Sequence, residues 1–142
     1  MQKGVFLAAK TVGDRERYKR VEPLLNGWLL YLGLAQTWHV SLVFTDELGS
    51  GRVFATIDLD TPYRRAVIRI IRKALDGAAA DDVQLYLVHE VVHILLAPLE
   101  KFAKESLGTD LNDRFQSTIE EQTDIITNVL LRMATGKEGV WK

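Results

Sequence analysis

A chain of 142 residues with 47% hydrophobic and 26% charged residues is long enough to form one domain, over 1–142, with a core of its own. A formal net charge of -1 gives no global pull toward nucleic acid or anionic membranes. With no cysteine, disulfides and thiolate zinc sites are excluded, so a metal would have to be held by His, Asp or Glu.

The opening MQKGVFLAAKTVGDRERYK has only a short apolar patch before it turns charged, unlike a signal peptide. The longest apolar stretch, 23–35, is broken by Asn26, Gly27 and Gly33 and is too short to span a bilayer. The expectation is a cytoplasmic protein without a membrane partner. Asp14 is a candidate cap for a helix running through Arg20 toward Leu34. Tyr18, Val21, Leu25, Trp28, Leu29 and Leu32 recur there at helical spacing, and Pro23 and Gly27 are expected to divide it into two pieces.

The stretch from Trp38 to Phe44 alternates, with Trp38, Val40, Leu42 and Phe44 on one face, as in a half-buried strand. DELGSG (46–51) reads as a turn, and Arg52 to Leu59 as a second strand with Val53, Ala55, Ile57 and Leu59 on one side. After the break at Asp60-Thr61-Pro62, the β-branched run from Tyr63 to Ile71 reads as a third strand. Short connections favour an antiparallel meander.

Asp81 or Asp82 can cap a helix over about 83–96 that Pro98 ends, with a short piece over 99–107 closed by Gly108. Thr109 or Asp110 can cap a last helix over roughly 112–134, stopped by Gly136. This order predicts an α+β fold: an N-terminal helix, a small three-stranded, mainly antiparallel sheet, then two long helices.

The helix at 83–96 contains His89-Glu90-Val91-Val92-His93. Positions i and i+4 share a helix face, so both imidazoles can address one ion, and Glu90 beside them can reach a metal-bound water without ligating. The flanking Leu85, Leu87, Val88, Val91, Val92, Ile94 and Leu95 make the helix apolar nearly all round. Buried histidines and a buried glutamate need partners.

A catalytic zinc commonly takes three protein ligands plus water. Positions 96 and 99 are leucines, which excludes the glycine and third histidine of the metzincin pattern. No histidine lies downstream of His93, so the third ligand is sought among carboxylates. Glu120 and Asp124 in IEEQTD (119–124) are four apart. Glu120 can ligate, and Asp124 can accept a hydrogen bond from the far nitrogen of a ligating histidine. Glu121 points elsewhere, and Asp110, in a faintly aspzincin-like GTD, is one residue out of register.

H-E-x-x-H followed on a later helix by E-x-x-x-D resembles the gluzincin clan of zinc peptidases, to which thermolysin belongs. The resemblance covers 38–134 in element order, and the chain is the size of minimal single-domain members, some of them in phage and prophage regions. It implies a zincin-like domain in which His89, His93 and Glu120 bind zinc, Glu90 is the general base and Asp124 stands behind a histidine. It implies a peptidase acting on a peptide or protein. The transition-state Tyr and His of thermolysin-like enzymes have no clear counterpart, and Tyr86 and His39 are the nearest candidates.

Two other functions fit the sequence. The same ligands could form a metal-binding module without catalysis. The basic residues Arg15, Arg17, Lys19, Arg20, Arg64, Arg65, Arg69, Arg72 and Lys73 raise a nucleic-acid role, disfavoured by the near-neutral net charge.

Overall fold

Three rows of apolar side chains meet across the sheet: Val40, Leu42 and Phe44; Ala66, Ile68 and Ile70; Ala55, Ile57 and Leu59. They belong to strands β2 (His39–Thr45), β4 (Arg65–Ile71) and β3 (Ala55–Asp60). A short strand β1 (Val5–Leu7) pairs with β2. The structure, a computed structural model, describes residues 5–7, 13–46 and 54–135.

Helix α1 is Asp14–Tyr31, α2 is Arg72–Asp76, α3 is Ala80–Ser106 and α4 is Thr109–Thr135. The α+β class expected from the sequence is the class observed. The core joins Val21, Leu25, Trp28 and Leu29 of α1 to the inner sheet face and to Val83, Leu87, Val91 and Ile94 of α3. Each Leu, Ile or Val buried there contributes about 1.5–3 kcal/mol. α3 is also long and apolar enough to cross a membrane, but half of its most apolar window is buried in this fold.

The sheet order is β1-β2-β4-β3, and this corrects the antiparallel meander. β2 pairs with β4 in parallel, with Leu42 opposite Ile68, and only β3 and β4 are antiparallel. Nine residues, 46–54, separate β2 from β3, enough to step across two strand spacings, about 10 Å. The tight reversal at 61–64 then returns β4 into the gap, and Arg64 adopts a left-handed φ of 53° there. Among the described residues β3 is left as an edge strand. The turn expected at 46–51 and the strand start at 52–53 lie outside the described residues apart from Asp46, as does the stop at Gly136.

Neither proline divides its helix. α1 continues through Pro23 and α3 through Pro98. Both prolines are exposed; Pro23 takes the helical partner from the carbonyl of Lys19, an exposed residue, and Pro98 from that of Ile94, a buried one. α1 stops at Tyr31 because Gly33 takes φ 74° and lets Leu34 N–H return to the Leu29 carbonyl at 2.8 Å.

The expected caps also differ. Gly13, not Asp14, precedes α1, and Ala79 precedes α3, with Asp81 and Asp82 in its first turn beside the positive helix end. Asp14 is fully buried instead. It accepts hydrogen bonds from Arg17 (2.9 Å) and from two nitrogens of Arg72 (3.0 Å each). Arg72 also reaches Asp46, Arg17 reaches Asp76, and Arg20 donates to the Leu75 and Ala78 carbonyls. Arg69 pairs with Asp58. Arg17, Arg20 and Arg72 of the basic cluster seen in the sequence therefore tether α1 to α2, and Arg69 braces β4 against β3.

Candidate metal centre

Only Leu107 and Gly108 separate α3 from α4, so the two helices form a hairpin. His93 lies 13 residues before the end of α3 at Ser106, and Glu120 lies 11 residues after the start of α4 at Thr109. At about 1.5 Å per residue these heights agree within about 3 Å. His89 and Asp124 are each one turn further from the hairpin connection. Two motifs with the same four-residue spacing thus face each other, rung for rung.

The distances follow that geometry. His93 Nε2 is 3.2 Å from one oxygen of Glu120, and His89 Nε2 is 3.6 Å from the other. His89, His93 and Glu120 each offer a donor atom, all within 4.8 Å of one another, and this group could hold a metal ion. Two ligands bound at about 2.1 Å in a tetrahedral shell lie about 3.4 Å apart, close to both imidazole–carboxylate separations. Nitrogen and oxygen donors of this kind suit zinc and also other divalent transition metals.

Asp124 Oδ1 sits 3.1 Å from His89 Nδ1, on the side of the ring away from Glu120. Glu121 and Asp110 are exposed and take no part in the group. His39 is at the start of β2, outside the cavities that contain the other histidines. Tyr86 is closer to the site: it stacks on Phe54 at 4.6 Å and lines the same cavity as His89 and Glu90.

Glu90 is 6% exposed, and its Oε2 is buried with no hydrogen-bond partner among the described residues. An unmet buried acceptor costs about 1–3 kcal/mol. Burial pushes its carboxyl up to about 7; the nearby His93 opposes this rise and Glu120 adds to it. His93 is also shifted. Burial favours its neutral form, but Glu100, Glu120 and Glu90 together outweigh burial and raise it. A divalent cation with a bound water would give Glu90 the partner it lacks and would neutralise the crowded acids, so the residues present fit such a group.

Two openings meet at this point. A cavity of about 460 Å³ runs from His89 and Glu90 to Phe54, Tyr86, Thr127 and Asn128. A second, of about 590 Å³, is lined by Ala55 to Leu59 of β3 on one side and by His89, Glu90, His93 and Glu120 on the other. The edge strand therefore forms one bank of the cleft that contains the metal-ligand group.

Comparison with protein-family models, with curated proteins and with solved structures finds no significant match.

One residue of the site escaped the sequence reading. Glu100 Oε1 stands 3.7 Å from His93 Nδ1. The signal was available: Glu100 is seven residues after His93, two turns along the same helix face. The apparent helix break at Pro98 hid it. Phe54 and Asn128 were also unforeseen, because only the packing of β3 and α4 on α3 brings them to the cavity.

Proposed function

We propose that the protein is a zinc-dependent peptidase, with His89, His93 and Glu120 as metal ligands and Glu90 as general base. The observation that carries this reading is the convergence of those three donor atoms beside a buried Glu90, whose Oε2 has no hydrogen-bond partner among the described residues, in a cleft bordered by β3. A bare metal store needs the ligands but not the poised carboxylate or the open cleft.

When bound, the zinc would polarise a scissile carbonyl and lower the pKa of its water to about 7. Glu90 takes the proton from the attacking water and passes it to the departing amine. Burial that disfavours the bare carboxylate makes Glu90 ready to accept a proton. Asp124 holds His89 through Nδ1, which fixes the tautomer and leaves Nε2 for the ion. An extended peptide can pair its backbone with the edge of β3 left unpaired among the described residues and so lie across the site. The alternation of β3 turns Ala55, Ile57 and Leu59 to the core, leaving its backbone edge for such pairing.

The nucleic-acid reading is weakened by the engagement of Arg17, Arg20, Arg69 and Arg72 within the fold. A gluzincin affiliation and a cytoplasmic location belong to the same proposal and rest on the sequence resemblance.

The deciding experiment incubates metal-loaded protein with an unstructured protein such as casein and with a mixed peptide library. Cleavage blocked by a chelator and restored by zinc is expected. A protein that binds zinc yet cuts neither substrate supports the metal-binding module without catalysis.

A further inference from the structure

The two imidazoles are held in different ways. His89 is backed from the opposite helix, by Asp124 of α4 at 3.1 Å. His93 is backed from its own helix, by Glu100 at 3.7 Å. Seven residues bring a helix back to within about 20° of the same face, and helical side chains lean toward the N-terminus. The Glu100 carboxylate therefore reaches back along α3 toward His93.

Its surroundings differ from those of the other acids in the cleft. The Glu100 side chain is only 13% exposed, whereas those of Glu120 and Asp124 are 58% and 69% exposed. A carboxylate so shielded from water is costly unless it is paired. The ion pair it makes among the described residues is with His93. The 3.7 Å separation is within ion-pair reach and longer than a hydrogen bond.

We propose that Glu100 is a positioning residue for His93, keeping Nδ1 protonated and turned toward itself so that Nε2 points at Glu120 and the ion. This rests on the metal-centre reading given above. The site then has a divided support. One histidine is fixed by the partner helix and depends on the α3–α4 packing. The other is fixed within α3 and stays oriented even when α4 shifts.

The test compares Glu100→Ala, Glu100→Gln and Asp124→Ala with the wild type in two measurements: zinc affinity by chelator competition, and side-chain ¹⁵N–¹H spectra of the histidines in zinc-loaded protein. Glu100→Ala is expected to weaken zinc binding by about 10–100-fold and to move the Nδ1–H signal of His93 while that of His89 stays. Asp124→Ala should do the reverse to the two signals. Glu100→Gln keeps an acceptor of the same shape, so it should retain the His93 signal and lose less affinity. It also carries the test if the alanine variant does not fold.

Wild-type affinity in both Glu100 variants, with an unmoved His93 signal, overturns the proposal and leaves the metal centre standing. Equal displacement of both histidine signals marks a general structural role and overturns it as well. A wild-type protein that binds no zinc overturns the metal centre and the proposal together.

Discussion

Glu120 reaches both histidines at once: one oxygen lies 3.2 Å from His93 Nε2 and the other 3.6 Å from His89 Nε2, across a hairpin whose spacer holds 26 residues. A side chain 58% exposed has no packing reason to hold that position. Its place is set by the matching heights of the two motifs on α3 and α4. Wild-type protein is expected to bind about one zinc per chain. Glu120→Ala should weaken binding by more than about 100-fold, beyond the 10–100-fold cost typical of residues that only support a ligand. Elemental analysis after zinc dialysis reads this directly. No divalent ion in the wild type, or equal loading of the variant, would sink the ligand assignment.

Glu90 is the natural target for separating binding from chemistry. Glu90→Gln preserves shape and removes the base, so it should keep the zinc and lower peptide cleavage by about 10²–10⁴-fold. The comparison needs kcat at equal zinc loading. Unchanged turnover in that variant would remove Glu90 from the mechanism.

Asp14 tests the framework rather than the site. It is fully buried and binds Arg17 and Arg72 together, joining α1 to the start of α2. Asp14→Ala leaves both guanidinium groups short of a partner. Removing one member of a buried ion pair costs about 3–5 kcal/mol, and the 21–22% exposure of the two arginines, which keep Asp76 and Asp46, reduces this to roughly 2–3 kcal/mol. Urea unfolding of the metal-free variant measures it. A change below about 0.5 kcal/mol would show that the network is not a tether.

Asp76 gives a pH signature away from the metal centre. Its hydrogen bonds from Arg17 hold its carboxyl below the ordinary 3.8. The unfolded chain then binds a proton more readily than the folded one. The stabilisation is complete above about 4 and fades as pH falls through the depressed folded value. Wild type should be slightly more stable than Asp76→Asn at pH 7, and the gap should close between about pH 4 and pH 2. The effect is small because Asp76 is half exposed. A gap that stays constant down to pH 2 would mean that the carboxylate charge contributes nothing.

The sequence was sufficient for what depends on local spacing. Alternation in Val40, Leu42 and Phe44 placed one face of β2, and the apolar residues around His89 and His93 marked a buried helix. The paired four-residue spacings of His89/His93 and Glu120/Asp124 fixed which side chains share a face, because helix geometry is the same wherever the helix packs. Tertiary structure decided the rest. The parallel pairing of β2 with β4 depends on which strand fills the gap, a choice made between segments more than twenty residues apart that no local pattern encodes. α1 and α3 run unbroken through Pro23 and Pro98, and the unbroken α3 sets Glu100 behind His93. Asp14, legible as a cap, became a buried anchor only when the start of α2 brought Arg72 to it. Spacing along the chain is written in the residues; depth, neighbours and charge pairing arise only when distant segments exclude water together.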